Sequence, residues 1–294
     1  MGRAAANGIE IEYETFGDPE DPPLLLVMGL GAQLVAWDEA FCESLVDRGF
    51  YVIRFDNRDV GLSTKIDVDL DVMAEIATAM AGGPAAAPYH LSDMADDAVG
   101  LLDALGIDRA HVVGASMGGM IAQSMAIAHP ERVQTLTSIM STTGDPDVGQ
   151  PKPEVLSVLL TPPPAERDAN IEHAVAGSRA IGSPGELFDE DYARARAERS
   201  FDRSFYPQGV AHQLLAIVSS PSRSDALRQL DVPALVIHGD ADPLVTPSGG
   251  QRTHECLAGS TLLVLEGMGH DVPKPMWPTI IEHITALAAG APVA

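Results

Sequence analysis

Six short, mainly apolar runs punctuate this chain: Leu24–Met28, Tyr51–Phe55, His111–Val113, Leu136–Met140, Leu235–His238 and Leu262–Leu265. A strand that faces water on one side alternates apolar and polar residues, and these runs do not. They suit strands covered on both faces, as in a parallel sheet. Helical stretches such as Met94–Leu105 and Met117–His129 lie between several of them. That alternation predicts an α/β fold, with a mostly parallel central sheet flanked by helices and joined by right-handed crossovers. Ile9–Thr15 (IEIEYET) is different, because it alternates. It reads as a half-buried antiparallel strand ahead of the parallel set.

The strand rhythm stops after Met140 and resumes only at Val232-Pro-Ala-Leu-Val-Ile-His-Gly. Between them lie Pro-Lys-Pro, Thr-Pro-Pro-Pro and Ser-Pro-Gly, then a charged helical segment around Tyr192–Arg203. The expected organisation is a core of residues 1–141 and 226–294, with a mainly helical cap inserted as 142–225. The uncharged stretch Ile76–Ser92, with Gly82-Gly83-Pro84, reads as a second mobile loop. No internal repeat is visible.

Acidic side chains number 42 against 18 basic ones, a net charge of −24. Nucleic acid and anionic membrane surfaces are therefore poor partners. The longest early uncharged run, Pro22–Trp37, is 16 residues broken by Pro and Gly, short of the roughly 20 a membrane span needs. No signal-peptide pattern opens the sequence. Two cysteines, Cys42 and Cys256, fit no metal or redox spacing and point to a reducing compartment, although spacing alone leaves a disulfide open. A cytoplasmic location is expected. A homodimer is the default expectation.

His111-Val-Val-Gly114-Ala-Ser116-Met-Gly118-Gly119-Met-Ile-Ala carries the most chemistry. An apolar strand runs into Gly-x-Ser-x-Gly and a helix follows at once, the arrangement that lifts a serine hydroxyl above a sheet on a sharp turn. Serine is a weak nucleophile without a base, so a histidine and an orienting acid are expected downstream. His254 and His283 fall in helical patterns. His270 instead lies in a glycine-rich loop directly after the strand Thr261–Glu266, where an open α/β sheet places its ligand-facing residues. For the acid, Asp242 is favoured over Asp240, which suits a turn, and over Asp271, which adjoins His270. Acyl transfer also needs backbone N–H groups aimed at the oxyanion. Met117 follows the nucleophile, and Leu30 lies in the loop after the early strand Leu24–Met28; these two N–H groups are the expected donors.

These segments, with Gly-Asp-Ala-Asp-Pro-Leu-Val and Gly-Met-Gly-His, resemble the α/β-hydrolase family along nearly the whole chain. Asp56-Asn-Arg58-Asp59-Val-Gly61-Leu-Ser63 resembles the family's Asp-x-Arg-Gly-x-Gly-x-Ser segment, with Arg58 expected in a structural ion pair. The family usually has His-Gly before the oxyanion loop, and here Met28-Gly29 stands there. That variant is similar to aclacinomycin methylesterases and implies a carboxylic-ester substrate. The serine sets the chain apart from haloalkane dehalogenases and epoxide hydrolases, which use aspartate. No metal site and no cofactor are expected: no His-x-His or Cys-x-x-Cys occurs, and Gly29-Leu-Gly31 lacks the last glycine of a dinucleotide fingerprint.

Met28, Met140 and Met268 lie near expected strand ends around the site, and the insert supplies Phe201, Phe205 and Tyr206. Methionine fills irregular apolar space, so these residues are expected to line a pocket for a neutral, fairly apolar small molecule. The expected function is a serine carboxylesterase acting through an acyl-enzyme. Lactone, thioester or carbon–carbon bond hydrolysis and perhydrolysis share the same machinery and stay open. A non-catalytic binding or sensor protein, or a scaffold, is the reading from another class.

Overall fold

The computed structural model describes residues 1–156, 158 and 161–291. Eight strands form one sheet: β1 (Gly2–Ala6), β2 (Ile9–Phe16), β3 (Pro23–Val27), β4 (Tyr51–Phe55), β5 (Ala110–Ala115), β6 (Val133–Ile139), β7 (Ala234–Gly239) and β8 (Thr261–Leu265). Their order across the sheet is β1-β2-β4-β3-β5-β6-β7-β8. The pairs β1–β2 and β2–β4 are antiparallel and every other pair is parallel. The expected strands are all present. β1 is an addition, because Gly-Arg-Ala-Ala-Ala carries no β-branched or aromatic residue to mark it.

Among the described residues the helices are α1 (Glu39–Val46), α2 (Val72–Met80), α3 (Leu91–Ala104), α4 (Met117–Ala128), α5 (Arg167–Ile181), α6 (Glu190–Arg203), α7 (Pro207–Ser219), α8 (Ser224–Leu227), α9 (Ser248–Cys256) and α10 (Trp277–Ala288). Successive residues of the central strands point to opposite faces and enter two different cores. Leu25 and Val27 of β3 pack with Met94 and Leu101 of α3 and Ile121 of α4. Leu24 and Leu26 pack with Phe41 and Leu45 of α1 and Ile280 and Ile284 of α10. Each such fully buried side chain contributes about 2 kcal/mol, and covering on both faces explains why these strands show no alternation. Cys42 and Cys256 are buried and free, one in each core.

Between β6 and β7 the chain forms α5 to α8. α6 is capped by Asp189, whose carboxylate accepts from the Tyr192 N–H, with Glu190 and Asp191 in its first turn and Arg203 in its last. Those charges suit the helix dipole. α5 packs on α6, and α7 packs on α2. The stretch Ile76–Ser92, expected as a mobile loop, is therefore partly regular. Ile76 lies in α2, buried against Leu214 and Leu215 of α7, and Leu91 opens α3. Among the described residues no helix is long and apolar enough to cross a membrane.

The parallel strands reverse their order of addition between β3 and β5. Ligand crevices of open α/β sheets form outside the carboxyl ends at such a point. The loops after β3, β5, β7 and β8 all leave from that edge.

Candidate active site

Ser116 joins β5 to α4 with φ 56° and ψ −121°, a left-handed conformation that a side chain normally avoids. The fold holds it there from both sides. Ser116 N–H donates to the Ile139 carbonyl at 2.9 Å, and Ser141 Oγ donates to the Ser116 carbonyl at 2.8 Å. Glycine is required on either side of the turn. A Cβ on Gly114 would overlap the Gly118 carbonyl, and one on Gly118 would overlap the carbonyl of Val27 in β3.

His270 Nε2 lies 2.9 Å from Ser116 Oγ, and His270 Nδ1 lies 2.8 Å from Asp242 Oδ2. A carboxylate only accepts, so Nδ1 carries the hydrogen and Nε2 presents its lone pair to the serine hydroxyl. Asp242 is fully buried. Its Oδ1 accepts from the backbone N–H groups of Leu244 and Val245 at 2.9 and 3.0 Å. Burial pushes its carboxyl up, but the imidazole of His270 and hydrogen bonding to His238 and His270 outweigh burial and hold it at about 2. His238 Nε2 lies 3.5 Å from Asp242 Oδ2 while donating to the Val245 carbonyl at 2.8 Å.

The competing residues lie elsewhere. Asp240 accepts from the Gly267 N–H, and Asp271 accepts from Ser183. His254 sits on α9 beside Ser260, and His283 on α10 donates to the Thr279 carbonyl. Arg58 makes a bidentate ion pair with Asp97 of α3, at 2.6 and 2.7 Å, and takes no part in the site.

The N–H groups of Leu30 and Met117 have no hydrogen-bond partner among the described residues, whereas Gly31 N–H donates to Gln213 Oε1 of α7 at 2.8 Å. Gln213 Nε2 in turn donates to the Arg58 carbonyl at 2.7 Å. Nearby, Gln33 donates to the carbonyls of Ser200 and Ser204, and Arg203 Nη1 reaches both Gln33 Oε1 and the buried Asp56. Gln213, Gln33 and Arg203 were not among the expected site residues. The one signal for Gln213 is His212-Gln213 interrupting an otherwise apolar helical face.

Ser116 and His270 open into a cavity of about 1150 Å³. Of the residues expected around the pocket, Met28, Met140, Phe201, Phe205 and Tyr206 lie on its lining, and Leu30, expected as an oxyanion donor, lies there too. Met268 does not. It is fully buried in the core below the site, against Gly239 at the end of β7, because the loop after β8 turns its side chain inward. Met73, Ile76 and Met80 of α2 supply apolar wall in addition.

Residues 22–273 match the family model described as alpha/beta hydrolase fold. The chain belongs to the α/β-hydrolase family. This hydrolase is 30% identical to the rhodomycin D methylesterase of Streptomyces sp. (strain C5), over 93% of its own length and 94% of the relative's. It is equally similar, 30% over 93% and 94%, to the rhodomycin D methylesterase of Streptomyces peucetius. Among solved structures, the enol-lactonase from Burkholderia xenovorans LB400 shares the fold with a TM-score of 0.77 at 23% identity, covering 98% of the hydrolase and 100% of that chain.

Proposed function

We propose that the chain is a serine carboxylesterase in which Ser116 is the nucleophile, His270 the base and Asp242 the orienting acid. The observation that carries this reading is the unbroken Ser116 Oγ–His270–Asp242 path, at 2.9 and 2.8 Å, on the wall of a large cavity. Ser116 Oγ attacks the ester carbonyl as His270 Nε2 takes its proton, and the carbonyl oxygen becomes an oxyanion facing the N–H groups of Leu30 and Met117. The tetrahedral intermediate expels the alcohol, which leaves with the proton held by His270. Water then attacks the acyl-enzyme, giving its proton to His270, and the acid departs as Ser116 is restored. Asp242 keeps the imidazole in the tautomer that accepts from serine and balances its charge once protonated.

The cavity exceeds the roughly 300–1,000 Å³ of ordinary small-molecule pockets. Together with the two methylesterase relatives, that supports a bulky, predominantly apolar acyl group esterified to a small alcohol such as methanol. In this reading residues 142–225 form a cap over a core of 1–141 and 226–294, which the bonds from Gln33 to Ser200 and Ser204 and from Gly31 to Gln213 support. Two free, buried cysteines support action in the cytoplasm, and the charge of −24 supports a small-molecule substrate over nucleic acid.

The test is intact-mass analysis after a fluorophosphonate, with peptide mapping and an assay on methyl esters. The expected result is one adduct, on Ser116, that disappears in His270→Ala. A folded protein that takes no adduct overturns the assignment.

A further inference from the structure

Arg223 is 7% exposed, follows α7 in the chain, and lines the same cavity as Ser116 and His270. Three neutral acceptors fix it in place. Its Nε donates to Gln123 Oε1 of α4 at 3.0 Å, its Nη2 donates to the Thr142 carbonyl at 2.9 Å, and its backbone N–H donates to the Thr143 carbonyl at 2.9 Å. Nη1 makes no hydrogen bond among the described residues, and no acidic oxygen among them lies within 4.0 Å of the guanidinium.

Buried charges are ordinarily paired, because an unpaired one forfeits its hydration without recompense. The other buried arginines among the described residues obey that rule, Arg54 pairing with Glu14 and Arg58 with Asp97, and the partly buried Arg203 pairs with Asp56. Asp145 is near enough for its field to reach Arg223, but its oxygens are taken by Ser222, Ser224 and Arg252. Burial pulls the Arg223 guanidinium down to about 10, against the opposing pull of Asp145, so it stays charged at neutral pH. The cavity's other cations, Arg196 and Lys274, are less buried and sit beside Ser178 and on the faces of Tyr192 and Trp277.

We infer that Arg223 is the anchor of a second subsite, which binds an anionic oxygen of the substrate, a carboxylate or equally acidic enol, remote from the ester that Ser116 cleaves. The inference rests on the esterase reading and refines the neutral substrate expected from the sequence. The acyl group is apolar along its length and carries one anionic end. Its guanidinium lies against Gly144, in the segment leaving β6, with Gln123 on the nucleophile's own helix behind it. Substrate charge held there fixes the distance to the scissile carbonyl, which converts binding into orientation.

The experiment compares monomethyl esters of straight-chain diacids, from six to twelve carbons, with methyl esters of the monoacids of equal length. The wild type is expected to favour at least one half-ester over its neutral partner by tenfold or more in kcat/KM. Arg223→Gln is expected to erase that preference, and Arg223→Lys, which keeps the charge, to restore part of it. Protection of wild-type Ser116 from fluorophosphonate by the matching free diacid, and not by the monoacid amide, reads the same subsite without any variant. No preference at any length, or equal losses for both ester series in Arg223→Gln with no protection by the diacid, overturns the subsite. Absence of any wild-type adduct on Ser116 removes the esterase reading instead, so the two failures are distinct.

Discussion

Gln213 and Gly31, 182 residues apart, are joined by a hydrogen bond of 2.8 Å from the Gly31 N–H to the Gln213 side-chain oxygen. Gln213 is fully buried and also donates to the Arg58 carbonyl. One side chain of α7 thus holds both the loop after β3 and the loop after β4. With Gly31 N–H occupied, the neighbouring Leu30 N–H, which has no hydrogen-bond partner among the described residues, is the oxyanion donor of the proposed mechanism.

Gln213→Leu removes that acceptor and leaves Gly31 N–H unpaired. An unsatisfied buried donor costs about 1–3 kcal/mol, and a displaced oxyanion donor about 3 kcal/mol in the transition state. The expected outcome is a fall in kcat of about tenfold to a hundredfold on a simple ester, with KM changed little. Fluorophosphonate labelling of Ser116 continues at a lower rate. An unchanged kcat means that the loop holds its shape without Gln213.

Asp242→Asn should leave the fold intact and reduce kcat by about 10⁴, because the amide favours the wrong imidazole tautomer. The pH dependence follows from the same carboxyl. Its folded value, about 2, lies below the ordinary 3.8. Its ionised form therefore contributes stability that is fully present above about pH 4 and is lost as pH falls towards 2. Denaturant midpoints of the wild type should drop over that interval, and those of Asp242→Asn should drop less. Parallel curves for the two proteins would show that another acid governs the loss.

The strands of the parallel sheet were legible because burial on both faces leaves unbroken apolar runs, and the proposed set of Ser116, Asp242 and His270 stood out because each follows a strand within two residues of glycine or proline. β1 was not legible. Its five residues enter the sheet through backbone pairing with β2, which leaves little trace in side-chain type. The helical character of Ile76–Met80 was hidden for another reason: its apolar face packs on α7, more than a hundred residues later. Partners that distant also explain Gln213 and Arg223. Their roles depend on which backbone groups the fold brings to them, and a glutamine or arginine in a sequence does not say whether its partners are protein or solvent.

Asp97→Ala isolates the charge of Arg58, which is 7% exposed. Breaking one side of a buried pair costs about 3–5 kcal/mol, which for a chain of this size lowers the melting temperature by about 10 °C. Double replacement by apolar residues, Arg58→Met with Asp97→Leu, should recover much of the loss, since no lone charge remains. Calorimetry of the three proteins checks this. Ser116 labelling below the melting point should persist in all of them, because the pair lies on the α3 side of the sheet.

Met268 lies in the core and Met28 on the cavity wall, so truncating each should separate stability from recognition. Met268 is fully buried among Leu235, Ile237 and Ile280. Met268→Ala leaves a hole in packed core and is expected to cost about 2–5 kcal/mol of stability, with substrate preference unchanged at temperatures where the variant is folded. Met28 is only partly buried and lines the cavity. Met28→Ala should therefore cost about 1 kcal/mol or less in the denaturation curve, a smaller apolar burial. It should instead raise KM for bulky esters relative to acetate esters, because wall area is removed where the acyl group packs. A Met268→Ala variant with normal stability and altered ester preference would place that side chain in the cavity after all.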